Sequence, residues 1–259
     1  MTDAPAVGPK PSLGIGSLIS ESFSILFGKF IQVVAVAFGP ALIGLVISGL
    51  LIGFGVVAGS AEPNFAGPGT AVAFILTILV QIVVYAVTTA LLVQLAYDAK
   101  LGRTVQIGKY LGPAFAAVVP IAILSLVSGI LFMLGFMLFI VPGLWILAVF
   151  SVMAPAVVIE KAGFGGLGRS ASLTKEYRWP IVGAFVLIII ISAVINLVAQ
   201  LVVGLVSSIL GIVAIDILLS ALLSTVSAGL GSILIALIYA RLREIKEGVS
   251  VDQIAAVFD

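Results

Sequence analysis

Charge is confined to a few short stretches of this chain, and the runs between them are long and apolar. A helix that crosses the hydrocarbon core of a bilayer needs roughly 20 such residues. Runs 30–59, 70–97, 113–139, 144–159, 180–208 and 212–240 satisfy or approach that length, and Asp216 is the one charged residue inside any of them. Charged residues make up 9% of the chain, against about a quarter in soluble domains, and 62% of residues are hydrophobic. So few charges cannot cover a water-soluble globule of this size, so lipid must be the solvent for most of the surface. The expected fold is an all-α polytopic membrane bundle of about six transmembrane helices. It forms a single membrane domain over 12–248, between a polar N-terminal tail (1–11) and a C-terminal tail (249–259).

The third and fourth runs form one apolar stretch, 113–159, too long for one span and suited to a hairpin. Val141-Pro142-Gly143 is the expected turn, because Pro removes a donor and Gly tolerates unusual backbone angles. The 144–159 run is short, and a re-entrant segment is the alternative to a full span.

The basic residues set the orientation. With six spans, the connections alternate between those holding Lys or Arg and those holding none. Lys10 and Lys29 precede the first span; Lys100, Arg103 and Lys109 follow the second; Lys161, Arg169, Lys175 and Arg178 follow the fourth; Arg241, Arg243 and Lys246 follow the sixth. All 12 thus fall on one side, together with both termini, and the positive-inside rule makes that side cytoplasmic. The opposite connections carry Glu62 and Asp216. The N-terminus lacks a short apolar stretch after a basic start, so no signal peptide is expected. The apolar run before Ala58-Gly59-Ser60-Ala61 is too long for one as well.

From Ile15 to Phe30, apolar residues recur at helical steps (Ile15, Leu18, Ile19, Phe23, Leu26, Phe27, Phe30), opposite Ser17, Ser20, Glu21 and Ser24. This pattern predicts an amphipathic helix under the lipid headgroups. Weaker versions are expected at 104–112, with Thr104 as N-cap, and at 166–177, with Leu167, Ala171 and Thr174 on one face. Each precedes a span, which suggests three repeats of an interfacial helix followed by a hairpin.

Several chemistries lack their residues. The chain has neither Cys nor His, which removes disulfides, thiolate catalysis, ordinary zinc sites and His- or Cys-ligated haem. A net charge of +1 gives no footprint for nucleic acid. No carboxylate pair suited to acid–base catalysis is apparent. Gly163-Phe164-Gly165-Gly166-Leu167-Gly168 follows a span rather than a strand, so it reads as a flexible joint and not a phosphate loop. Neither catalysis nor a cofactor is expected. Glu160, Asp98 and Asp216 read as interfacial; a cation or proton entry point is the alternative for Asp216. Within the spans the polar residues are neutral. Gln81, Asn196 and Gln200 are candidate intramembrane contacts, and Asn196 and Gln200 share a helix face. They serve either interhelical hydrogen bonding or a path for substrate or water. Gly49 with Gly53 and Gly55 with Gly59 have spacing suited to close helix packing, within the chain or between two copies.

Near the fourth span the sequence acquires family features. Pro142-Gly143-Leu144-Trp145 is followed by Ala154-Pro155-Ala156-Val157-Val158-Ile159-Glu160, then Gly168-Arg169-Ser170, Leu173-Thr174 and Trp179. Tyr239-Ala240-Arg241-Leu242-Arg243 with Glu247-Gly248 completes the set. This resembles the bacterial glycerophosphoryl diester phosphodiesterase membrane-domain family and its stand-alone relatives. The resemblance implies the membrane part of such proteins in a bacterial cytoplasmic (inner) membrane. Their catalytic barrel uses histidine, and this chain has none. It also implies that Arg169 and Arg241 lie at the cytoplasmic interface. With Lys175, Trp179 and Arg243 they are candidate contacts to lipid headgroups.

Three functions follow as expectations. A scaffold or accessory membrane protein, partnered by lipid and by another membrane protein or a second copy, would show no cavity. A transporter would show a water-accessible polar cavity converging on Asn196, Gln200 or Gln81. A lipid-handling protein would show an apolar lateral groove with Arg169 or Lys175 near its mouth. The first is the leading expectation.

Overall fold

The computed structural model describes residues 11–64 and 67–248. Lys10 and most of the two expected tails lie outside the described residues. Among those described the chain is helical throughout, with no strand. It comprises α1 (Ile15–Gly28), α2 (Phe30–Ile52), α3 (Phe54–Val57), α4 (Pro68–Lys100), α5 (Ile107–Leu138), α6 (Ile140–Phe150), α7 (Met153–Ile159), α8 (Gly166–Leu173), α9 (Arg178–Leu210) and α10 (Val213–Glu247). Six segments are long and apolar enough to cross a membrane, with α6 and α7 together forming the fourth. The protein is therefore a multi-pass membrane bundle. Its spans alternate in direction, so every described Lys and Arg lies at one end, here the basic end. Glu62 and Asp216 lie toward the other, here the neutral end.

Helix ends follow from local chemistry. Gly53, at φ 93°, stops α2 in a conformation open to glycine. A Cβ on Gly49 would fall 2.3 Å from the Phe54 ring, so this glycine lets α3 pack closely against α2. Pro68 opens α4, where its missing N–H costs nothing, and the Gly67 N–H donates to Thr70 Oγ1 at 3.2 Å.

The α5–α6 hairpin reverses at Phe139, whose backbone is extended (φ −162°, ψ 158°), and not at Val141-Pro142-Gly143. Pro142 instead sits in the first turn of α6, where an N–H would find no intrahelical partner. The reversal is tight because Gly135 faces Gly143. A Cβ on Gly143 would lie 3.0 Å from Phe136 backbone atoms.

Two expected interfacial helices take other forms. The 104–112 segment is not separate: α5 starts at Ile107 and runs directly into the span. In α8 the buried face is Gly166, Ser170 and Leu173, followed by Thr174 as expected, while Leu167 and Ala171 are only half-buried. The glycine-rich joint is a 3-10 turn (Gly163–Gly165) leading into α8. Helix α1 buries Leu18, Ser22 and Leu26 against the bundle, while Phe27 and Phe30 stay exposed.

The fourth segment crosses between the two ends, with a break in the middle. Pro155 has no N–H and its ring crowds the carbonyl four residues earlier, so the helix opens at Ser151–Val152. Side chains of α8 satisfy the exposed backbone. Ser170 Oγ donates to the Val149 carbonyl at 2.8 Å and accepts the Val152 N–H at 3.2 Å, and Thr174 Oγ1 donates to the same carbonyl at 3.2 Å. Irregular backbone survives at membrane depth only when buried and satisfied in this way.

Packing is uneven along the membrane normal. At the basic end, α4 from Ala86 to Tyr97 and α10 from Leu230 to Leu242 supply a large share of the core. Toward the neutral end, α9 exposes Val194, Leu197, Leu201, Leu205 and Ile209. A groove lined by α9, α10, α2 and the segment after α2 lies toward that end, and it becomes the candidate site.

Candidate functional site

The groove starts from spacing on two helices. On α9, Asn196, Gln200, Gly204 and Ser207 recur at three- and four-residue steps; on α10, Asp216, Ser220, Ser224 and Ser227 do the same. Each set lies on one helix face. The helices are antiparallel, so the stripes face each other along a polar seam. Ser207 Oγ donates to Asp216 Oδ2 at 2.8 Å near the neutral end. Asn196 Nδ2 donates to Ser227 Oγ at 3.1 Å and to its own helix at the Ser192 carbonyl at 2.8 Å.

Between these rungs the seam opens into a groove of about 690 Å³. Gln200, Gly204, Ser207, Asp216, Ser220 and Ser224 line one side, with Leu45, Val57 and Ser60 opposite. Gln200 lies ten residues from the end of α9, about 15 Å at helical rise, so the groove reaches roughly the middle of a bilayer core. Asp216 is its one charged lining residue. Asp216 Oδ1 is buried and has no hydrogen-bond partner among the described residues. An unmatched acceptor of this kind costs about 1–3 kcal/mol and invites a donor.

Gln81 lies elsewhere. Its Nε2 donates to Ser48 Oγ at 3.0 Å, which ties α4 to α2. Gln81 and Asn196 therefore both make interhelical bonds, and Gln200 alone of the three lines the groove.

The basic end is held by an ion network centred on Glu160, at the end of α7. Arg169 of α8 donates to it twice, Nε to Oε2 at 2.6 Å and Nη2 to Oε1 at 2.9 Å. Tyr239 of α10 donates its hydroxyl to Oε1 at 2.7 Å. Glu247 accepts from Arg243 Nε at 2.8 Å and also from Arg169 Nη2. The bond to Glu160 raises the pKa of Arg169, so its charge is fixed. Arg169 and Arg243 are thus committed to carboxylates within the chain. Arg241 pairs with Glu244 at 2.7 Å and also reaches the Ser12 carbonyl at 3.2 Å. Lys175 and Trp179 are exposed beside the start of α9.

Two more ties close this end. Lys100 bridges to Glu21 at 2.6 Å, joining α4 to α1. Tyr110 donates to Asp98 at 2.7 Å, joining α5 to α4. Glu160 and Asp98, expected as interfacial acids, each tie helices together at this end. No group of three or more potential metal-ligating residues occurs among the described residues.

The sequence reading missed the serines at 220, 224 and 227, though their spacing from Asp216 was a usable signal. The role of Glu160 left no local signal, because Tyr239, Arg243 and Glu247 lie far along the chain. Comparison with family models, with curated proteins and with solved structures gives no match to this chain.

Proposed function

We propose that this chain is a non-catalytic membrane protein of the transport type, which admits a small neutral or cationic polar solute into the α9–α10 groove. The observation that carries this reading is the pair of facing polar stripes lining an open groove, which by helical rise extends about 15 Å from the neutral end of α9. Exposing polar side chains to hydrocarbon is costly, so a groove lined by Gln200, Asp216, Ser220 and Ser224 suits water and polar solutes. One carboxylate and no basic residue favour cations and neutral molecules over anions.

A scaffold has no need of such a groove, so the geometry favours transport over that leading expectation. The packed basic half and its Glu160 network supply a closed base. The positive-inside rule places that base and both termini in the cytoplasm, so the groove opens outward. The resemblance carried by the sequence motifs supports a bacterial inner membrane as the protein's location.

The test is a thermal-shift screen of the protein in lipid nanodiscs against polyols, amines, amino acids and anionic controls. A neutral or cationic stabiliser is expected, and filling the groove with Ser224→Trp should abolish its effect. Stabilisation by anions alone, or by no solute, contradicts the proposal.

A further inference from the structure

A second cavity lies on another side of the bundle and shares no lining residue with the groove. It is a chamber of about 290 Å³ at the break between α6 and α7, near the lower limit of small-molecule pockets, roughly 300 Å³. Tyr85, Ser125 and Gly129 also line a neighbouring apolar groove of about 560 Å³ between α4 and α5. Chamber and groove are therefore adjoining parts of one space. Exposed Leu126, Ile130 and Met133 flank the groove. They face the lipid in a six-span bundle, so the groove is a lateral opening to the bilayer.

The chamber holds unused hydrogen-bonding capacity. Tyr85, Thr89 and Ser125 line it, and none of their hydroxyls has a hydrogen-bond partner among the described residues. Thr89 is only 7% exposed. Thr77, twelve residues earlier on α4, satisfies itself by donating to the Ala73 carbonyl at 2.9 Å. Thr89, which lines the chamber, makes no such bond. Three donors without acceptors converge on one space.

Depth and charge narrow the occupant. Tyr85 lies about halfway along α4, so the hydroxyls sit near the middle of the membrane. No charged residue lines the chamber or the groove. A phosphate head would have to enter hydrocarbon with no counter-ion, which is prohibitive. We infer that this space is a binding site for a neutral membrane lipid with a carbonyl-bearing head. The head accepts hydrogen bonds from Tyr85, Thr89 and Ser125, and the hydrocarbon tail lies in the α4–α5 groove. Polar-solute entry through α9–α10 plays no part in this inference.

The test uses the full chain in phosphatidylcholine nanodiscs, with a diazirine-tailed diacylglycerol as the neutral probe and a diazirine-tailed phosphatidylglycerol as the charged one. After illumination, crosslinked peptides are mapped by mass spectrometry. Labelling by the neutral probe is expected on α4 and α5 around Tyr85 and Ser125. It should fall at least about 10-fold in the Tyr85→Phe, Thr89→Val, Ser125→Ala triple variant. These substitutions keep shape, and an unchanged melting temperature verifies that the variant is folded. If the triple variant does not fold, Thr89→Val alone should reduce labelling. Equal labelling of these peptides by phosphatidylglycerol overturns the choice of a neutral head. Labelling that does not respond to loss of the hydroxyls overturns the site.

Discussion

Ser207 on α9 donates to Oδ2 of Asp216 on α10 at 2.8 Å, and Oδ1 of the same carboxylate is buried with no partner among the described residues. Half of the carboxylate holds the neutral ends of two helices together. The other half has an unmatched acceptor beside the groove.

Asp216→Asn keeps an acceptor for Ser207 and removes the charge. Its melting temperature should correspond to a change of no more than about 1 kcal/mol. Its effect should appear in charge selectivity. With a single cysteine at Ser220, one turn from Asp216, a cationic methanethiosulfonate should react faster than an anionic one. Asp216→Asn should remove that preference. Equal rates with Asp216 intact would mean that its charge does not act on the groove.

The Glu160 network predicts a loss of stability. Glu160→Ala leaves Arg169 and the Tyr239 hydroxyl without their shared acceptor. A charge-assisted bond contributes about 1.5–3 kcal/mol, so thermal unfolding in detergent should show a loss of about 2 kcal/mol. Arg169→Lys should recover only part of it, because an ammonium cannot make the two-pronged contact.

The break in the fourth span predicts coupling between two positions. Ser170→Ala removes the partner of the Val152 N–H and one of the two donors to the Val149 carbonyl, at a cost of about 1–2 kcal/mol. Pro155→Ala restores an N–H and lets the helix close on itself. In that background Ser170→Ala should cost measurably less, and a double-mutant cycle on melting temperatures reads the difference. Additive effects would separate the break from its α8 partners.

Gly143→Ala should destabilise the α5–α6 hairpin by about 1–3 kcal/mol, the usual cost of overpacking. The added methyl meets Phe136 backbone at 3.0 Å, which side-chain rotation cannot relieve. Gly129→Ala on α5, where an added Cβ meets nothing within 4 Å, is the control.

The spans and their alternating direction were legible because hydropathy and charge are properties of single residues, summed along the chain. The turn at Phe139 was less so. Pro142 and Gly143 are turn formers locally, but helix-to-helix approach at Gly135 and Gly143 decides where the chain reverses. Asn196 and Gln200 stood out because amides are rare in spans. Ser220 and Ser224 did not, since serine in a membrane helix commonly bonds its own backbone, and only the facing α9 stripe gives them a groove. Arg169 and Arg243 read as headgroup contacts because a sequence shows charge without showing its partner. Their partners, Glu160 and Glu247, are brought together by the bundle.

The most direct test of the groove is a cysteine scan, made simple because the chain has no cysteine of its own. Single cysteines are placed at Gln200, Ser220 and Ser224 in the groove, and at Leu197, Leu201 and Leu205 on the exposed apolar face of α9. Intact cells are treated with a membrane-impermeant thiol reagent. Labelling from outside is expected at the three groove positions, with none at the three leucine positions. Groove cysteines that stay unlabelled in intact cells while a cysteine at Ala61 reacts would contradict an outward-opening groove.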